Sequence, residues 1–94
     1  MLKKIEQENF FKLICINADL KQGILYVVPQ GRMCDMLFIP GYGGNMNCCA
    51  INGVNIPLSY GTGGREAFRI TLPAGTVLST DSASYYFSLV GYEY

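Results

Sequence analysis

The chain has no histidine and no tryptophan. Without an imidazole, the usual serine and cysteine triads have no base, and a histidine-ligated metal centre has no ligands. Charge is scarce as well. Asp, Glu, Lys and Arg make up 15% of the chain, against about 25% in average soluble proteins. Seven basic and seven acidic side chains cancel, so a nucleic-acid partner, which needs a basic footprint, is not expected. Lys3 and Lys4 are an isolated pair, and Arg65 and Arg69 flank Glu66 without forming a stripe. No apolar run approaches the roughly 18 residues of a membrane span, and no charged segment leads into a signal-peptide core. The expectation is a chain that folds in a cytoplasm without membrane insertion.

Other absences narrow the chemistry further. The four cysteines show no Cys-x-x-Cys spacing, and adjacent Cys48 and Cys49 on a strand point to opposite faces. With Cys15 and Cys34 they are expected to be reduced thiols that fill space as small hydrophobes. Of the carboxylates, Asp19 and Asp81 sit in turn-forming stretches, Glu66 lies beside arginines, and Asp35 stands alone. None is placed opposite another, as a glycosidase requires. No catalytic residue, metal or cofactor is therefore expected, and the chain reads as a non-enzyme. No segment has a 3.6-residue apolar period, so no helix longer than a turn is expected.

What the chain does have is turn chemistry, arranged in mirror order around Asn52-Gly53. Asn-Gly between alternating runs is a strong hairpin signal, because both residues tolerate positive φ. Glycine loops follow on either side, Gly41-Tyr42-Gly43-Gly44 and Gly61-Thr62-Gly63-Gly64. Outside them lie two proline turns, Val28-Pro29-Gln30-Gly31 and Leu72-Pro73-Ala74-Gly75. In each, proline is expected at the first corner and glycine in the left-handed position.

Eight strands fit between these signals: 10–17, 24–28, 32–39, 46–51, 54–60, 65–72, 76–80 and 85–94. Mirror order pairs first with last, second with seventh, third with sixth and fourth with fifth. That predicts an all-β, eight-stranded antiparallel jelly-roll β-sandwich. An up-and-down meander using the same turns is the competing topology. Residues 1–9 form an N-terminal arm and 10–94 a single jelly-roll domain.

Half of the residues are hydrophobic. With so little charge and no net charge, part of the surface is expected to be covered by another chain. The last strand is the place to look. Tyr86, Val90, Tyr92 and Tyr94 share one face, while Tyr85, Phe87 and Leu89 share the other. A strand apolar on both sides is buried on both, so one face belongs to the core and the other to a partner or to the arm. Tyr42, Gly43, Gly44, Tyr60, Gly63 and Gly64 form candidate binding loops, where a tyrosine ring stacks on a glycan. Neither loop leads into Lys-Ser or Lys-Thr or opens a helix, so neither reads as a phosphate loop.

Val28-Pro29-Gln30-Gly31, Asn52-Gly53-Val54, Leu72-Pro73-Ala74-Gly75-Thr76 and Gly91-Tyr92-Glu93-Tyr94 together resemble small jelly-roll domains in virion proteins of tailed bacteriophages. Such domains occur in capsid decorations, head fibres and tail-fibre parts. The resemblance implies a structural protein without catalytic residues, a homotrimer that clips onto a larger capsid, neck or tail protein. It implies a place in the virion after assembly in the host cytoplasm. The domain stands alone here, which favours a decoration, adaptor or fibre-anchoring role over receptor binding. The Cys48-Cys49 pair is not part of the pattern. A lectin-like module that binds a glycan through the two glycine loops is the alternative.

Overall fold

The computed structural model describes residues 11–41, 47–59, 67–81 and 85–94. Among them are eight strands and no helix: β1 (Lys12–Asn17), β2 (Gly23–Val27), β3 (Cys34–Pro40), β4 (Asn47–Ile51), β5 (Val54–Ser59), β6 (Phe68–Leu72), β7 (Val77–Thr80) and β8 (Phe87–Glu93). They form two four-stranded antiparallel sheets, in the orders β1-β8-β3-β6 and β2-β7-β4-β5. All four mirror pairs are hydrogen-bonded neighbours. A meander would join consecutive strands, and only β4 and β5 are both consecutive and paired.

The turns explain this order. Asn52 and Gly53 have φ of 51° and 82°, and Ile51 pairs directly with Val54 across them, as a two-residue hairpin requires. Asn52 also ties the hairpin tip to the next strand. Its N–H donates to the Val77 carbonyl (2.9 Å), and its Oδ1 accepts from the Val77 N–H (2.9 Å). Asn52→Ala loses that side-chain bond and puts a residue of poor left-handed tolerance at positive φ. It is expected to cost about 2 kcal/mol, or roughly 10 °C in the melting temperature of a domain this size. Asn52→Gly, which loses only the bond, should cost about half as much. Equal melting of the two variants would show that backbone strain contributes nothing.

The proline turns differ from expectation in one respect. Gly31 and Gly75 are left-handed as anticipated, with φ of 78° and 86°. Each proline, however, sits one position earlier than the first corner. Its carbonyl accepts the closing bond, from Arg32 N–H to Pro29 O and from Thr76 N–H to Pro73 O, both 3.2 Å. The corner therefore falls on Gln30-Gly31 and Ala74-Gly75. The two turns also bond to each other, through Val28 N–H to Thr76 O (3.0 Å) and Gly75 N–H to Val28 O (2.8 Å).

The core lies between the sheets. Ile14, Met36, Phe38, Leu72, Phe87 and Leu89 come from the first sheet, and Cys49, Leu58 and Leu78 from the second. Phe38 stacks on Phe68, its register partner, with centroids 4.8 Å apart. Several strands are shorter than expected. β8 begins at Phe87 and ends at Glu93, and β3 begins at Cys34 because Arg32 closes the preceding turn. Ile70 shares its face with Phe68 and Leu72 but is 42% exposed, since β6 is an edge strand. Three cysteines are buried, as expected. Cys15 is not: it stands exposed on the outer side of edge strand β1, while neighbouring Ile14 turns inward. The expected arm, residues 1–9, lies outside the described residues.

Candidate functional site: the outer face of the first sheet

Alternation decides which side chains leave the core. In β8, Phe87, Leu89, Gly91 and Glu93 are buried, and the intervening Ser88, Val90 and Tyr92 point outward. Register then assembles a surface from four strands. Leu13, Tyr92, Asp35 and Thr71 form one row across the sheet, and Cys15, Val90, Leu37 and Arg69 the next. Below the first row, Tyr94 lies between Phe11 and Met33. Its ring is 6.2 Å from that of Phe11, and its backbone exchanges two hydrogen bonds with Met33 (2.7 and 2.8 Å). On the far side, Ile39 pairs with Ser88.

The result is a broad apolar surface. Phe11 is 66% exposed, Leu13 59% and Tyr92 54%, with Met33 and Tyr94 also open to solvent. An open depression between β1 and β8 is lined by Cys15, Ile16, Asn17, Ser88, Leu89 and Val90. Of the expected interface residues, Val90, Tyr92 and Tyr94 are brought together on this face. Tyr86 lies beyond the start of β8, where its backbone bonds Gly41 N–H (2.9 Å) and the Asn47 side chain (3.0 Å). Phe11, Leu13, Met33, Leu37 and Ile39 join the face although the last strand alone does not reveal them. Their signal was the alternation of the first and third strands.

One acid sits in this surface and is held in place. Asp35 Oδ1 accepts hydrogen bonds from Thr71 Oγ1 (2.7 Å) and Tyr94 OH (3.0 Å). Donation to that carboxylate holds the Tyr94 hydroxyl above the usual phenol range. Asp35 Oδ2 and the Arg69 guanidinium have no hydrogen-bond or ion-pair partner among the described residues.

Beneath the face is a polar contact that the sequence did not reveal. Glu93 is 4% exposed, on the core side of β8. Tyr26 of β2 donates to its Oε2 (2.5 Å), and Arg32 Nε lies 3.3 Å from its Oε1. The Tyr26 bond, then Arg32 and the nearby Lys12 charge, hold the Glu93 carboxyl below its usual range, against the opposing effect of burial. Burial, with the bond to Glu93 second, raises the Tyr26 hydroxyl well above its ordinary value.

The thiols offer little nucleophilic chemistry. Burial raises those of Cys34 and Cys48, and it pushes Cys49 up to about 12, so all three stay protonated near neutral pH. Among the described residues, no three His, Cys, Asp or Glu side chains gather as metal ligands. The candidate loop residues Tyr42, Gly43, Gly44, Tyr60, Gly63 and Gly64 lie outside the described residues. No family model, curated protein or solved structure matches this chain.

Proposed function

We propose that this chain is a structural assembly protein of a tailed-phage virion, a jelly-roll β-sandwich that associates with copies of itself and with a larger capsid or tail protein. The observation that carries the reading is the outer face of the first sheet, where Phe11, Leu13, Met33, Tyr92 and Tyr94 are exposed side by side. Contiguous apolar patches of more than a few hundred Å² mark interaction sites in soluble proteins. Tyrosines suit such contacts because the ring is buried while the hydroxyl keeps a partner, as Tyr94 does with Asp35. The jelly-roll assignment is supported by the strand order, which is the one obtained when a long hairpin with its tip at Asn52-Gly53 folds over into two sheets. The virion assignment rests on the order of the turn motifs.

Light scattering after size exclusion, run over a range of concentrations, tests the assembly reading. The expected mass is a multiple of the 10.4 kDa chain, and Tyr92→Arg is expected to reduce it to a single chain. Cys15 provides an internal probe, being the exposed thiol among three buried ones. Its alkylation should be fast in the Tyr92→Arg variant and slow in the assembled wild type. A wild-type monomer at every concentration, with Cys15 freely alkylated, would end this reading.

A further inference from the structure

Among the described residues, the apolar face carries one charge of each sign, and neither has a charge partner. Asp35 lies opposite Thr71, and Leu37 lies opposite Arg69, so Asp35 and Arg69 are diagonal neighbours on adjacent strands. Thr71 and Tyr94 both bond Asp35 Oδ1, which fixes the carboxylate and leaves Oδ2 without a partner among the described residues. Covering this face with a purely apolar surface would bury two unpaired charges at heavy cost. The covering surface must bring a cation to Asp35 and an anion to Arg69 at the same spacing.

The face itself meets that requirement. We infer that it is a two-fold interface between two copies of this chain, in which Asp35 of each copy pairs with Arg69 of the other. This rests on the assembly reading above and makes the basic unit a dimer instead of the trimer expected from the motif resemblance. In an isologous contact, a residue that meets another is met by it in return. A two-fold axis in the contact plane, bisecting the line from Asp35 to Arg69 at right angles, superposes each charge on its opposite. With strands about 4.8 Å apart and about 6.8 Å between alternate residues, that axis runs close to Leu37 and Val90. These two residues therefore meet their own counterparts. The interface has an apolar centre crossed by two charge pairs, each made through the Asp35 Oδ2 that Thr71 and Tyr94 leave open.

Charge exchange tests the arrangement. Asp35→Arg leaves two like-charged pairs in the homodimer, and Arg69→Asp does the same with the opposite sign. Each variant alone is expected to weaken dimerisation at least about 30-fold. Mixed in equal amounts they restore both pairs, so native mass spectrometry should show a one-to-one heterodimer with affinity within about tenfold of the wild type. Circular dichroism checks that each variant is folded. A second test does not depend on these charges. In a Cys15→Ser background, Leu37→Cys near the axis should be joined into a covalent dimer by a short bismaleimide, each thiol adding across one maleimide double bond, because facing sheets lie about 10 Å apart, beyond the reach of a direct disulfide.

The outcomes separate the two claims. A wild type whose association is abolished by Tyr92→Arg, but whose charge variants fail to complement and whose Leu37→Cys variant fails to cross-link, overturns the two-fold arrangement alone. A wild-type trimer overturns it too. A wild type that is monomeric throughout, or whose association ignores Tyr92→Arg, overturns this inference together with the assembly reading.

Discussion

Gly91→Ala is expected to cost the domain about 3 kcal/mol or more, the upper range for overpacking a closed core. At the entropy of unfolding of a domain this size, that lowers the melting temperature by roughly 15 °C. Gly91 lies at the core side of β8, opposite Ile14 on one flank and Met36 on the other. A Cβ built there would stand 2.3 Å from the Asp35 carbonyl oxygen, 2.9 Å from Met36 Sδ and 3.0 Å from Met36 Cα. Met36 is fully buried, so its sulfur has little room to retreat, and the other two atoms are backbone. Relief requires β3 to separate from β8, which breaks the ladder that joins them.

The control is Gly75→Ala. That position has a φ of +86° and only a distant Gln30 side-chain atom, at 3.8 Å, near the added carbon. It should lose only the 1 to 2 kcal/mol of left-handed strain. Urea titration of both variants measures the difference. If they unfold at the same midpoint, β3 and β8 are not as close at Gly91 as described. The experiment also bears on the outer face. The clashing carbonyl belongs to Asp35, so a shift of β3 displaces the carboxylate from Thr71 and Tyr94 and should weaken self-association.

Turn chemistry was the legible part of this chain because it is local. Asn52-Gly53 and the two glycines Gly31 and Gly75 are placed by their own backbone preferences, whatever surrounds them. Their mirror spacing then brought distant strands into pairs, as β1 with β8 and β2 with β7. The outward direction of Val90 and Tyr92 followed from period-two alternation in the same way. What was not legible depends on neighbours that sequence distance hides. Glu93 sits at a core-facing position, but its partner Tyr26 is 67 residues away. Cys15 belongs to a residue type usually buried, yet it lies on the open side of an edge strand. The steric need for glycine at 91 arises from the approach of β3 and not from any unusual φ. Asp35 looked like an interruption in an apolar strand, and only the cross-strand positions of Thr71 and Tyr94 make it an oriented acid.

Tyr26→Phe is expected to lose about 2 kcal/mol at neutral pH, as does the removal of other hydrogen bonds to a charged partner. That corresponds to roughly 10 °C in the melting temperature. The bond it removes joins the two sheets, β2 to β8, and its loss leaves Glu93 buried beside Arg32. Glu93→Gln should cost a similar amount, and the double variant should cost clearly less than the sum, because both changes delete one contact. The pH profile gives the sharper test. Glu93 is held below its usual value, so its contribution is present above the unfolded carboxyl range, about 4.3. It is lost as pH falls from there through the folded value. Tyr26 is raised, so its contribution is present below about 10 and is lost as pH climbs beyond that. The wild type should therefore lose stability on both limbs, Glu93→Gln should flatten the acid limb, and Tyr26→Phe should flatten the alkaline one. Parallel profiles for all three proteins would show that the contact does not join the sheets in solution. If the limbs behave as expected, acid should also weaken self-association, because Tyr92 and Tyr94 are the two residues flanking Glu93 and depend on the same end of β8 for their position.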